Sequence, residues 1–259
     1  MKRGEPKIDL NCDMGEVPEA IADGTQEALM RSITSVNIAC GGHAGDEQTM
    51  KTTIEQALRW KLAIGAHPGY PDRANFGRLE LKLPKQAIAD SVFEQVRALA
   101  EIAAGCGARV VHVKPHGALY NMAVRDAELA DVIARAIASV DAQLILFAPD
   151  SGELARAGEA HELQIAREVF ADRNYLNDGW LVPRTRPDAL LHGPKKAAQR
   201  VLRMLREGKV RSVEGRDVDV RGETICVHGD TPGAVEFARE LRTQLESEGV
   251  RIRAPQSSL

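Results

Sequence analysis

With 259 residues the chain can bury a large core, and its length suits a β/α barrel in one domain as well as two smaller domains. Hydrophobic residues at 44% and charged residues at 27% are ordinary globular values, and a net charge of −3 without a long block of like charge speaks against nucleic acid and membrane surfaces as partners. No apolar run nears a membrane-spanning length or follows Met1-Lys2-Arg3 as a signal peptide requires, and Cys12, Cys40, Cys106 and Cys226 lack CxxC spacing. A cytoplasmic protein with four reduced thiols is expected.

In chain order, short β-rich runs at residues 7–12, 35–40, 63–67, 109–114, 143–147, 163–169 and 224–228 alternate with segments of helical period. This is the pattern of repeated β-α units around a parallel sheet. Pro84 opens a predicted helix with Ile88, Val92, Val96, Leu99 and Ala103 along one stripe, and Gly105 ends it. Asp126 can cap the next helix, and Thr231-Pro232 reads as N-cap and N1 of the last. Residues 170–194 break into Asp, Asn, Gly and Pro, as a long functional loop does, and residues 209–223 resemble a small hairpin. Residues 255–259 look frayed. No linker or internal repeat divides the chain, so one domain over residues 1–259 is the simpler reading.

Side chains alternate across a strand, and this sorts the polar residues. In the first strand Ile8, Leu10 and Cys12 share one face and Asp9, Asn11 and Asp13 the other. The same test sends Val36, Ile38 and Cys40 outward with Asn37 inward, and Ile64 and Ala66 outward with His67 inward. It also sends Val111 and Val113 outward with His112 and Lys114 inward, and Ile225 and Val227 outward with Cys226 and His228 inward. A sixth strand fits if Ile165 and Val169 face the helices and Glu168 the interior. Buried parallel strands are ordinarily apolar on both faces, so this polar interior needs a reason. The polar residues crowd the C-terminal strand ends, where barrels and open α/β sheets place their ligands.

The first strand runs into Asn11-Cys12-Asp13-Met14-Gly15-Glu16, a set that can bind a metal, orient water or serve as an acidic capping turn. Asn37–Asp46 carries three glycines that would let backbone amides approach an anion, presents His43 in the turn, and offers Asp46 as a helix cap. His67 precedes a rigid Pro68-Gly69 turn, and Asn75-Phe76-Gly77-Arg78 extends it into a lid with a cation, Arg78, for an anionic substrate or a surface ion pair. Lys114 and His116 flank Pro115 at the fourth strand end. An inward lysine needs an anion, which is either a substrate carboxylate or phosphate or the side chain of Asp13 or Glu168. Glu168, Asp172, Arg173 and Tyr175 occupy the sixth strand and the long loop, and His228-Gly229-Asp230 ends the seventh strand. Cys12 and Cys40, facing outward, read as packed thiols, and His161 and His192 as surface residues.

Six ordered segments, residues 9–16, 37–46, 65–78, 113–121, 168–175 and 227–233, together resemble the LamB/YcsF family, known as the A subunits of 5-oxoprolinase. The resemblance spans nearly the whole chain. It implies a seven-stranded parallel β/α barrel akin to glycoside hydrolase and deacetylase barrels. It also implies an ATP-dependent opening of 5-oxoproline to L-glutamate with two partner subunits. The sequence holds no GxxxxGK[ST] phosphate loop, so ATP is expected to be shared with those partners. In this reading Asp13, His43, His67, Lys114 and His116 are catalytic, and Asn11, Asn37, Arg78, Glu168, Asp172, Arg173 and His228 hold the substrate. Two rival readings keep the same residues. One is a divalent-metal deacetylase or amidohydrolase with Asp13, His43 and His67 as ligands. The other is a substrate-binding subunit without chemistry of its own.

Overall fold

A computed structural model describes residues 6–229 and 233–256. The first strand, β1 (Lys7–Met14), leads through the short helices α1 (Pro18–Ala22) and α2 (Thr25–Met30) into β2 (Ser35–Ala39). Three β-α units follow: α3 (Glu47–Arg59) and β3 (Ala63–His67), α4 (Lys85–Gly105) and β4 (Val110–Val113), then α5 (Gly117–Ala123) and α6 (Ala127–Val140) before β5 (Ile145–Ala148). Next come α7 (Glu153–Ala160) and β6 (Gln164–Phe170), and after the long loop α8 (Pro194–Glu207), β7 (Lys209–Arg211), β8 (Asp217–Asp219), β9 (Thr224–Cys226), α9 (Ala234–Ser247) and β10 (Arg251–Ile252).

Strands β1 to β6 and β9 pair in parallel, each with the next, and β9 returns to β1, so seven strands close into a barrel. Closure leaves none of these strands with an open edge. The eighth strand of that sheet, β10, escapes sequence reading at two residues long and pairs with the start of β1 through Lys7 and Ile8. The expected hairpin is present, with β7 and β8 antiparallel. Helix α4 begins and ends where Pro84 and Gly105 place it. Asp126 accepts a hydrogen bond from the Leu129 amide, and Asp46 forms a reciprocal capping box with Thr49. Thr231 and Pro232, read as the start of the last helix, lie outside the described residues, as does Asp230.

The alternation holds on β1, where Ile8, Leu10 and Cys12 join the core beneath the helices, and fails at one point. The register between β3 and β4 shifts between Ile64 and Gly65, and the pairing passes from Val110 to His112. Val111 sits in this bulge and packs with Ile145, Phe147 and Ala166, a small apolar cluster separate from the helix-facing core. Its expected outward direction is therefore corrected, because one extra residue reverses parity. Beyond it His112 stacks on Phe147, with ring centroids 4.1 Å apart. Gly65 makes the room: a Cβ there would stand 2.0 Å from His112 Nε2.

Candidate active site

The barrel interior is a stack of polar contacts. Asp9 accepts hydrogen bonds from the hydroxyls of Thr34, Ser35 and Thr224 at 2.6, 2.7 and 2.5 Å. Burial pushes its pKa up to about 6 against the pull of those hydroxyls. Next, the Asn11 amide donates to Glu168 and Thr224, and the Asn37 amide donates to Asn11 Oδ1 and Asp13 Oδ1, both at 2.8 Å. His112 Nε2 lies 2.8 Å from Asn37 Oδ1. Burial, with Lys114 nearby, lowers the His112 pKa to about 3, so this ring is neutral and donates from Nε2.

Lys114 stands at the centre. Its ammonium lies 3.0 Å from Asp13 Oδ1, 3.1 Å from Glu168 Oε1 and 3.1 Å from Cys226 Sγ. Burial works against its charge, but the Asp13 and Glu168 carboxylates outweigh that cost and hold its pKa well above the ordinary value. Of the two partners open to it in the sequence, the protein carboxylates are the ones found. Asp13 is the reciprocal case. Its own burial is overcome by His67 and Lys114, and its pKa falls well below the usual carboxylate range. Tyr120 completes the group by donating to Glu168 Oε2 at 2.8 Å.

At the strand ends, Gly15 with φ +73° turns the chain after β1 and brings Glu16 over the barrel mouth. Glu16 Oε1 lies 2.8 Å from His43 Nε2 and 3.2 Å from His116 Nδ1. His67 Nε2 lies 3.4 Å from Asp13 Oδ2 and 2.9 Å from His116 Nδ1. Burial lowers the pKa of His43 to about 4. For His67 the neighbouring Asp13 outweighs burial and raises it. Glu16, His43, His67 and His116 each offer a ligand atom within 4.8 Å of the others. Asp13, expected as a metal ligand with His43 and His67, stands beside this group, with its Oδ1 engaged by Lys114 and Asn37.

A cavity of about 930 Å³ opens above this floor. Asp13, Glu16, His67, Lys114, His116, Arg78, Arg173 and His228 line it, whereas Asn11, Asn37, His43, Glu168 and Asp172 do not. Asn11 and Asn37 thus lie beneath the cavity, saturated by one another and their neighbours. Asp172 holds His228 through Nδ1 at 2.8 Å. Arg173 donates from Nη2 to the Val182 carbonyl at 2.7 Å, while its buried Nε has no partner. Burial lowers its pKa to about 10, which leaves it charged at neutral pH. Arg125 and Arg184, from just beyond α5 and from the long loop, join the lining and were not singled out in the sequence. Position alone distinguishes them from other surface arginines.

The glycines after β2 do not line the cavity. A Cβ on Gly42 would meet Gln95 at 2.4 Å and one on Gly45 the Ala39 carbonyl at 2.5 Å, so these glycines permit close packing of the turn. Arg73 bonds the carbonyls of Gly41 and Gly45 across it. Cys40 is packed as expected, and burial pushes its thiol pKa up to about 12. His192 is exposed, as expected, while His161 pairs with Asp131 at 2.8 Å.

Known proteins share both the sequence and the fold. Residues 8–259 match the model of the LamB/YcsF family. The chain is 48% identical over 249 residues to the A subunit of 5-oxoprolinase from Bordetella pertussis, covering 96% of this chain and 99% of that protein. It is 45% identical over 248 residues to the protein of the same name from Bacillus subtilis, covering 96% of each. The crystal structure of a lactam utilization protein from Thermus thermophilus superposes with a TM-score of 0.90 at 39% identity, covering 96% of this chain and 100% of that one. By sequence over nearly its whole length and by its barrel, this chain belongs to the LamB/YcsF family.

Proposed function

We propose that this chain is the lactam-opening subunit of an ATP-dependent 5-oxoprolinase, adding water across the ring amide of 5-oxoproline to give L-glutamate. The observation that carries the reading is the joining of an arginine-lined cavity to a floor where the Asp13 carboxylate stands 3.4 Å from His67, in a chain 45–48% identical to proteins named as 5-oxoprolinase A subunits. A five-membered lactam is resonance-stabilised, so its opening needs a more electrophilic carbonyl carbon or a stabilised oxyanion. Phosphorylation of the amide oxygen by ATP supplies the first, and two partner subunits carry most of the nucleotide.

Within this chain, Asp13 offers the proton acceptor to a water at the cavity face of its pair with His67. Lys114 holds Asp13 ionised and in place, and is held in turn by Glu168. Because Lys114 is engaged on every side, Arg173, with its partnerless Nε, is the better cation for the substrate carboxylate. Arg78 at the rim, with its guanidinium 4.9 Å over the Phe76 ring, adds positive potential where the substrate enters.

Mixing the chain with its two partner subunits, ATP and 5-oxoproline, and following glutamate and phosphate, tests this reading. Equal release of both is expected, and Asp13→Asn is expected to lower turnover by about 10² to 10⁴-fold with the complex intact. Full-rate hydrolysis by the chain alone would disprove the division of labour. Unchanged turnover by Asp13→Asn would reduce this chain to a substrate-binding subunit.

A further inference from the structure

The contact between His67 and His116 cannot be made by two neutral imidazoles alone. His67 Nδ1 lies 2.6 Å from the Lys114 carbonyl oxygen, and His116 Nε2 lies 2.9 Å from that of Phe76. A carbonyl only accepts, so each ring carries a hydrogen on that outer nitrogen. The inner nitrogens, His67 Nε2 and His116 Nδ1, then turn bare lone pairs toward each other at 2.9 Å. Glu16 Oε1, also an electron-pair donor, completes the triangle at 3.7 and 3.2 Å. Three donors converging in this way require a cation among them.

We propose that Glu16 Oε1, His67 Nε2 and His116 Nδ1 bind one divalent transition-metal ion of the zinc type. Ligands about 2.0–2.1 Å from a tetrahedral ion stand about 3.3 Å apart, and the three separations bracket that distance. The two rings meet edge to face at 88°, so both inner lone pairs can point at one place. Backbone carbonyls on the outer N–H groups fix the tautomers, as they commonly do for metal-bound histidines. Two imidazoles and one carboxylate suit a borderline ion better than magnesium or calcium, which prefer oxygen throughout.

His43 converges on the same point but takes a different part. Its ring is stacked on His116, with centroids 3.6 Å apart and planes 4° from parallel. An ion in the plane of one ring is therefore out of the plane of the other. His43 Nε2 instead donates to Glu16 Oε1 at 2.8 Å and orients the carboxylate. This leaves His43 Nδ1 as a bare acceptor, in keeping with its having no hydrogen-bond partner. Glu16, His67 and His116 line the cavity and His43 does not, so the ion's remaining positions face the substrate. There it would polarise a carbonyl oxygen or bind water, with Asp13 Oδ2 beside it as proton acceptor. The site does not depend on which amide is opened.

Chelator-stripped chain titrated with Co(II), followed by visible ligand-field absorption and by metal content after gel filtration, tests the proposal without any substrate. One ion per chain is expected, displaced by Zn(II). His67→Gln and His116→Gln should each weaken uptake more than about 100-fold, and His43→Asn by about 10 to 100-fold, as for residues that orient a ligand. His161→Gln, on the outer surface, should bind like the parent. If the stripped parent chain, folded by circular dichroism, takes up no more Co(II) or Zn(II) than a His67→Gln/His116→Gln double variant, the cation between the rings is a proton. The proposal is then wrong, whatever the result with 5-oxoproline.

Discussion

Lys114 shows how one side chain organises the site. Its stem crosses the barrel interior and its ammonium joins Asp13 on β1 to Glu168 on β6, two carboxylates that would otherwise repel within a low-dielectric space. Removing one partner from such a group leaves uncompensated buried charge, which costs about 3–5 kcal/mol. Lys114→Met, similar in volume, should therefore lower stability by that amount in urea unfolding, and adding Glu168→Gln should restore part of it. Equal loss in the single and double variants would show that packing, and not charge, is what Lys114 contributes. Lys114 was legible as a site residue because an inward lysine on a buried strand demands an anion. Glu16 was far less so, since its neighbours His43 and His116 are remote in sequence and only the turn at Gly15 brings it over them.

Alternation along the strands carried most of the reading at the level of elements, and it failed where geometry departs from the regular ladder. Nothing in the letters of Val110-Val111-His112 distinguishes a bulge from an unbroken strand, because both valines suit either face. The reason lies on the neighbouring strand, where Gly65 leaves space that the His112 ring fills against Phe147. Gly65→Ala should force that ring to move and cost about 1–3 kcal/mol, as overpacking does. A fall in the urea midpoint without a change in its slope would report this, whereas an unchanged midpoint would mean that His112 relaxes freely. The glycines after β2 teach the opposite lesson. A glycine-rich strand-to-helix turn permits anion binding and tight packing equally, and the contacts of Gly42 and Gly45 place these in the second class.

Across the whole molecule, Asp9 links the strands at the barrel's closing seam through hydroxyls from β2, β9 and the residue before β2. A carboxyl whose pKa rises from 3.8 to about 6 on folding takes up a proton as the chain folds. Its contribution is thus most favourable below pH 4, is lost between about pH 4 and 6, and stays level above. The difference amounts to about 3 kcal/mol. Asp9→Asn should gain stability relative to the parent across that window and hold the gain at neutral pH. A difference in urea midpoint that does not vary with pH would refute this account.

Periodicity and residue type by themselves determined the strands, the principal helices and the polar interior, because these follow from local backbone preference and from the side to which each residue points, and the family followed from the resemblance of six ordered motifs. Tertiary structure decided which polar residues meet. Closing seven strands into a barrel brings Glu16, His67 and His116 together from the C-terminal ends of β1, β3 and β4. The same closure buries Asn11 and Asn37 beneath the cavity they were expected to line. Height along the barrel axis depends on strand stagger, which no single strand's sequence records.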